Sequence, residues 1–323
     1  MPTTDFENSF NCLYNRDIIA IEDKPILFYE PLNLKQDPFL ASHNSIDMCF
    51  ILNFLYTKNK KYDWERWRMV ANNSVLLKWS NIVAFVFTVI VNSLAGSTTL
   101  LGGVNTAQIS DSNPTLITPA GYVFSIWGII YVLLGVFVIF QALPSQKEKE
   151  YTKKIGWLFI LSSVLNIVWL FLWQYEILSV SVVLMFLLLA TLIAIYLRLN
   201  IGKSTVSLRE KMAVHVPFSV YLGWITIASI ANVSVFLVSE NWDGFGIGAE
   251  TWATLIIIVA LVITLLVLAT RRDIAYGLVI VWALFGIAVK QSGNQNIVTL
   301  TEASAIIVLL ALAATILLSR LKR

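Results

Sequence analysis

The sequence predicts an all-α, polytopic membrane protein with about eight transmembrane helices. First, 57% of the 323 residues are hydrophobic and only 13% are charged, whereas a soluble domain carries about 25% charged residues. Second, the chain contains a series of apolar segments, each near the about 20 residues that a membrane-spanning helix needs. Third, lysine and arginine are concentrated in alternate connections between these segments, as in membrane proteins with a fixed orientation.

The apolar segments are continuous, without the alternation of polar and apolar residues that marks a membrane β-strand. Helices are therefore the structure that can satisfy their backbone groups in lipid. The eight segments are 79–101, 117–143, 155–174, 177–198, 213–238, 251–270, 273–289 and 300–319.

Basic residues follow every second segment. They precede the first segment and fall in the connections around 144–154, 199–211 and 271–272, as well as after the last segment. The other connections contain Lys290 alone. The positive-inside rule places the lysine- and arginine-rich side in the cytoplasm. We therefore expect a multi-pass protein with both termini cytoplasmic, in the plasma membrane.

Residues 1–78 differ from the rest and are expected to form a cytoplasmic N-terminal extension. Residues 1–68 carry half of the 20 acidic residues, and the longest apolar run, Met48–Leu52, is too short to span a bilayer. Two interpretations stay open: a small soluble appendage, or a natural start at Met69. Cys12 and Cys49 do not form a disulfide framework, so free thiols are expected.

Two local patterns predict helix geometry. Gly121, Gly128 and Gly135 lie seven residues apart, which predicts one stripe where another helix can approach closely. Thr299 and Glu302 have the spacing of a capping box, which predicts that the last helix begins there.

Few ionisable residues lie within the segments, which argues against acid–base catalysis and against a metal site. His215 stands alone near the start of the fifth segment and is interpreted as a histidine that either has its hydrogen bonds satisfied or lies at the interface, rather than as a ligand. The charge pattern also lacks the continuous basic stripe of a nucleic-acid-binding protein. The polar groups within the segments are neutral: Asn81, Asn92, Ser125, Asn166, Thr226 and Asn232.

Aromatic and amide residues recur at helical spacing on three of the segments. The second carries Phe124, Trp127 and Tyr131, the third Asn166, Trp169 and Trp173, and the fifth Tyr221, Trp224, Ala228 and Asn232. If these stripes face one another, they form a flat-walled apolar cavity suited to a large, planar or rigid hydrophobic ligand. The alternative is ordinary packing of interfacial aromatic residues and helix-joining amides.

The same stripes resemble the tryptophan-rich sensory protein (TspO/MBR, translocator protein) family. The second segment reads Pro119-Ala120-Gly121-Tyr122-Val123-Phe124, then Trp127 and Tyr131; the third contains Asn166-x-x-Trp169; the fifth contains Tyr221-x-x-Trp224, then Ala228 and Asn232. Three positions depart from the family pattern: Ala120 replaces a proline, Tyr122 a tryptophan and Val220 a proline. The resemblance covers residues 79–240, which predicts a five-helix domain there and three additional helices in 241–323.

The resemblance implies a membrane receptor for a large hydrophobic ligand, because family members are five-helix bundles that bind porphyrins, haem or sterols. It implies no required cofactor, a tetrapyrrole as the candidate ligand and, since members are often dimeric, a homodimer. Enzymatic turnover is not expected beyond weak, light-dependent porphyrin breakdown. A multi-pass transporter or permease and a non-catalytic accessory subunit remain the alternatives. The implied ligand-binding residues are Phe124, Trp127, Tyr131, Asn166, Trp169, Trp173, Tyr221, Trp224 and Asn232.

Overall fold

The computed structural model describes residues 75–96, 102–146 and 149–321, and every regular element in these ranges is helical. The predictions for residues 1–68, including the alternative start at Met69, lie outside the described residues. In chain order the helices are α1 (Val75–Gly96), α2 (Thr106–Ser112), α3 (Ile126–Ala142), α4 (Glu150–Ile155), α5 (Leu158–Gln174), α6 (Leu178–Arg198), α7 (Val216–Ser239), α8 (Ala249–Arg271), α9 (Ile274–Lys290) and α10 (Gln295–Leu321).

Each of the eight predicted apolar segments forms a helix, so the all-α, polytopic fold class is confirmed. Within the described ranges, six helices are long and apolar enough to cross a membrane. They are α1, α6, α8, α10, α3 with its 3₁₀ turn Gly121–Ser125, and α7 with the turns that precede it from Leu208. The other two, α5 and α9, have 17 residues each, which is at the short end of the range of about 17–25 residues for a spanning helix.

Helix α7 lies at the centre of the bundle. It packs against α6, α9 and α3, while α5 packs against α6, and α10 packs against both α8 and α9. Buried residues occur on all sides of α7, including Phe218, Trp224 and Val235. A helix that is apolar all round is expected in such an interior position.

The connections rich in lysine and arginine gather at one end of the bundle, here called the basic end (residues 143–146, 149–157, 199–215 and 271–273). Arg271 Nη1 donates a hydrogen bond to Asn200 Oδ1 over 3.0 Å, and Tyr151 lies beside Glu210. Burial raises the pKa of Tyr151, and the neighbouring Glu210 carboxylate raises it further.

The remaining connections lie at the opposite end, here called the lid end (residues 102–120, 175–177, 240–248 and 291–294). Gln174 Nε2 donates to the Val104 carbonyl over 2.8 Å, and Gln291 Nε2 donates to the Thr115 carbonyl over 3.0 Å. The predicted alternation of the connections between two ends therefore matches the structure.

A buried carboxylate joins the basic end of α9 to α6 and α7. Asp273 precedes α9, and its Oδ1 accepts from the backbone N–H of Tyr276, which caps the helix. Its Oδ2 accepts from the hydroxyls of Tyr196 at 2.9 Å and Ser219 at 2.6 Å. The last three helices are thus connected to the preceding helices by more than apolar packing.

Two local predictions are wrong. Gly135 does approach α1, since a Cβ there would lie 3.2 Å from the Phe85 ring, but nothing lies within 4 Å of a Cβ at Gly128. The three glycines therefore do not form one continuous contact stripe. Helix α10 begins at Gln295, so Thr299 lies inside it and does not cap it. The side chain of Asn294 accepts from the Ile297 N–H at 3.2 Å instead.

Candidate functional site

The aromatic stripes of α3, α5 and α7 meet around the ring of Trp127. This ring stacks on Trp169 at a centroid distance of 6.0 Å and on Tyr131 of its own helix at 5.7 Å. It meets Trp224 at 6.2 Å and Tyr221 at 6.1 Å in T-shaped geometry. These are the separations and orientations that aromatic pairs prefer, so three helices contribute to one aromatic cluster.

Two further rings extend the cluster. Phe124 packs edge-on against Trp224 at 5.9 Å, and Trp173 stacks on Trp169 at 5.9 Å. Trp173 Nε1 donates to the Thr106 carbonyl over 3.2 Å. The cluster therefore reaches from the interior of the bundle to α2 at the lid end.

Buried amides orient the cluster. Asn232 Oδ1 accepts from Trp169 Nε1 at 2.8 Å, and Asn232 Nδ2 donates to Ser181 Oγ at 3.0 Å. Asn166 Oδ1 accepts from Asn92 Nδ2 at 2.7 Å, which joins α5 to α1. One amide therefore fixes the orientation of a tryptophan ring, and the other holds two helices together.

The cluster encloses a small cavity with a volume of about 30 Å³. That is room for about two water molecules, whereas ligand sites for drug-sized molecules usually occupy about 300–1,000 Å³. The cavity in this structure is therefore too small for a drug-sized molecule. Its lining comes from α2, α3, α5, α7 and the segment before α3: Thr106, Ser110, Pro119, Phe124, Trp127, Trp169, Trp173, Trp224, Ile227, Ala228, Ala231 and Asn232.

Six of the nine predicted site residues line this cavity: Phe124, Trp127, Trp169, Trp173, Trp224 and Asn232. The other three lie behind it. Tyr131 and Tyr221 contact the ring of Trp127, and Asn166 lies beside Tyr221. These three can act on a ligand only through their neighbours unless the cavity opens.

Helix α2 also contributes to the lining, which the helical spacing of the apolar segments did not predict. Thr106 and Ser110 line the cavity from the lid end, yet they lie in a connection without a long apolar segment. The sequence signal for α2 is a single capping box, in which Asn105 and Gln108 pair reciprocally at the start of the helix. Ile227 and Ala231 were also missed, because they flank the aromatic stripe of α7 and do not belong to it.

Several buried polar atoms at the cluster have no protein partner. In the described ranges six buried side-chain nitrogen or oxygen atoms lack a hydrogen bond, and three of them belong to Tyr131, Asn166 and Trp224. The atoms are the Tyr131 hydroxyl, Asn166 Nδ2 and Trp224 Nε1. Asn166 also lies within hydrogen-bonding reach of Tyr221, which leaves the Tyr131 hydroxyl and Trp224 Nε1 as spare donors.

The lining contains no acid, base or thiol among the described residues. Nor do three or more His, Cys, Asp or Glu residues in the described ranges come close enough to hold a metal ion. The chemistry at hand is aromatic stacking, apolar contact and hydrogen bonding.

The family model for TSPO-like protein matches residues 78–316. The chain belongs to this family. No curated protein and no solved structure matches it. The TSPO-like match continues well past residue 240, so α8, α9 and most of α10 lie inside the matched region together with the aromatic cluster.

Ala120 and Tyr122, which the sequence comparison with the TspO/MBR motif set apart, both lie against α9. The N–H of Ala120 donates to the Gly286 carbonyl over 3.0 Å, a bond that a proline could not make. The ring of Tyr122 packs edge-on against Trp282 at 5.5 Å, and Trp282 Nε1 donates to the Val123 carbonyl. Ala120 and Tyr122 therefore connect the segment at the start of α3 to α9.

Proposed function

We propose that this TSPO-like protein is a membrane receptor that binds a large, flat hydrophobic ligand at the aromatic cluster. The observation that supports this proposal most is that three helices bring four tryptophans to one cavity: Trp127, Trp169, Trp173 and Trp224. Broad aromatic faces in a water-poor site favour a rigid, planar partner. A tetrapyrrole such as a porphyrin or haem fits this chemistry, with a sterol-like molecule as the second choice.

The unpartnered donors support a ligand that carries oxygen acceptors. A buried donor without a partner costs about 1–3 kcal/mol, and Tyr131 and Trp224 each hold one such donor. A ligand with carboxylate or carbonyl groups would satisfy donors that remain unpaired in this structure. This favours a porphyrin with carboxylate side chains over a plain hydrocarbon.

The proposed role is binding or sensing without turnover. The cavity lining offers no acid, base or thiol in the described part of the chain, so the hydroxyls of Thr106 and Ser110 have no neighbouring base to activate them. Since the cavity has a volume of only about 30 Å³, binding also requires the aromatic rings to separate. A receptor whose rings rearrange on binding can report the ligand to another part of the molecule.

The orientation is part of the proposal. Lysine- and arginine-rich connections are collected at the basic end, as with Arg271 and Lys154. The positive-inside rule supports a cytoplasmic basic end. The lid end then faces the other side of the plasma membrane.

A titration of protoporphyrin into the purified protein in lipid nanodiscs tests this function. Porphyrin emission is followed, so that loss of tryptophan does not change the probe. We expect saturable binding to wild type. Two lost aromatic contacts of about 0.5–1.5 kcal/mol each should weaken binding of the Trp127→Ala, Trp224→Ala double variant about 5- to 150-fold.

Trp157→Phe is the matched control, because Trp157 is exposed at the basic end, far along α5 from the cavity. It should bind as wild type does. If the double variant does not fold, Trp224→Phe replaces it, since this change keeps a ring but removes the Nε1 donor. Equal binding by wild type, Trp224→Phe and the double variant, or no saturable binding at all, would refute the proposal.

A further inference from the structure

The segment of residues 102–118, here called the lid segment, covers the cavity at the lid end. Its helix α2 contributes Thr106 and Ser110 to the lining, and Ser110 is only 2% exposed. The reciprocal capping box of Asn105 and Gln108 makes α2 a locally ordered unit. A ligand that enters from this side must displace the lid segment.

Helix α5 holds the first half of the lid segment. Gln174 Nε2 donates to the Val104 carbonyl at 2.8 Å, and Trp173 Nε1 donates to the Thr106 carbonyl at 3.2 Å. These contacts lie beside the cavity and belong to the aromatic cluster.

The end of α9 and the residue after it hold the second half. Lys290 Nζ forms an ion pair with Asp111 Oδ1 at 2.6 Å, and Gln291 Nε2 donates to the Thr115 carbonyl at 3.0 Å. The side chains of Lys290 and Asp111 are 33% and 46% exposed. Partly exposed pairs of this kind contribute little energy and are weakened by salt. The ion pair between Lys290 and Asp111 is therefore a contact that is easily released.

We propose that Lys290 and Gln291 form a latch that keeps the lid segment closed and sets how often the cavity opens. The latch explains two features together. Lys290, the basic residue that ends α9, is placed against Asp111, and α9 is thereby connected to the segment that covers a cavity it does not itself line. The effect on ligand entry rests on the proposed function, but the effect on the lid segment does not.

Alkylation of a cysteine introduced at position 110 reports how often the lid segment opens, without any ligand. All variants carry Ser110→Cys, with Cys12→Ser and Cys49→Ser, which removes the two native cysteines. The rate of alkylation by a small maleimide is followed in nanodiscs, and alkylation in denaturing detergent confirms that the thiol is reactive.

Loss of the partly exposed ion pair by Lys290→Met should raise the alkylation rate about 1.5- to 5-fold. Adding Gln291→Leu, which removes a hydrogen bond as well, should raise it about a further 2- to 10-fold. Added salt should accelerate alkylation of the parent protein but not of Lys290→Met. The exchanged pair Lys290→Asp with Asp111→Lys should restore the slow rate.

Lys154→Met is the matched control, because it breaks the Lys154–Glu150 ion pair at the basic end. It should leave the rate unchanged. Equal rates in the parent and in the Lys290→Met, Gln291→Leu variant, complete protection in every variant, or equal acceleration by Lys154→Met would overturn the latch.

A binding experiment with protoporphyrin separates the latch from the proposed receptor function. If protoporphyrin binds, the Lys290→Met, Gln291→Leu variant should bind it faster, by the factor seen for alkylation. If alkylation responds to the latch but protoporphyrin does not bind wild type, the latch stands and the proposed receptor function fails. If protoporphyrin binds wild type and the variant at the same rate, ligand entry does not depend on the latch.

Discussion

Replacing Asp273 with alanine removes the acceptor that joins the start of α9 to α6 and α7. Asp273 caps α9 through the Tyr276 N–H and accepts from the hydroxyls of Tyr196 and Ser219. Asp273, Tyr196 and Ser219 are all buried. The substitution therefore changes the helix cap and a buried hydrogen-bond network at once.

The expected cost follows from these three bonds. Loss of the cap costs about 1 kcal/mol. Tyr196 is left with a buried, unpaired hydroxyl, which costs about 1–3 kcal/mol. Ser219 lies within a helix and can turn its hydroxyl to a carbonyl one turn earlier, so it adds little. We expect Asp273→Ala to destabilise the protein by about 2–4 kcal/mol.

Unfolding in mixed micelles with increasing denaturing detergent, followed by circular dichroism, measures this cost. Asp273→Asn is the matched control, because asparagine is a good helix cap and keeps one oxygen acceptor. It should cost about half as much. If Asp273→Ala is no more destabilising than Asp273→Asn, the buried network does not carry the energy assigned to it.

Gly286→Ala and Asn232→Leu test the packing around the site, each with a control substitution. A Cβ at Gly286 would overlap Val123 and lie 3.2 Å from Pro119, so Gly286→Ala should lower the unfolding free energy by about 1–3 kcal/mol. Gly128→Ala, where nothing lies within 4 Å, should be neutral or stabilising in the same assay. Asn232→Leu removes the acceptor of Trp169 Nε1 and should lower the unfolding free energy by about 1–3 kcal/mol. Ser234→Ala on the same helix is the control and should be nearly neutral. Equal costs for the two substitutions would contradict a stabilising role for the Asn232–Trp169 hydrogen bond.

The number and type of helices could be predicted from the sequence because bilayer thickness sets the length of an apolar segment. The meeting of the aromatic stripes could be predicted from helical spacing, since Trp127, Trp169 and Trp224 each lie on one face of an apolar helix. The residues at which helices begin were harder to predict. Residues 294–299 contain both Asn294 and a competing capping pattern at Thr299, and the helix begins directly after Asn294.

The lid segment and the contacts of α9 could not be predicted, because they depend on which helices are neighbours in space. In the sequence, Lys290 is a single basic residue beside the connections that otherwise lack lysine and arginine. Its partner Asp111 lies 179 positions away. Likewise Ala120 and Tyr122 appeared as departures from a motif, although both contact α9. The small volume of the cavity depends on side-chain packing, which spacing alone does not determine.

The thermal stability of the protein with and without protoporphyrin tests the central claim most directly. A ligand that binds only the folded state stabilises it, by about 2.7 kcal/mol when its free concentration is 100 times the dissociation constant. We predict that protoporphyrin raises the unfolding temperature of wild type and of Trp157→Phe, and that the rise is largely lost in Trp127→Ala with Trp224→Ala. No rise in wild type, or the same rise in the double variant, would contradict a ligand site at the aromatic cluster.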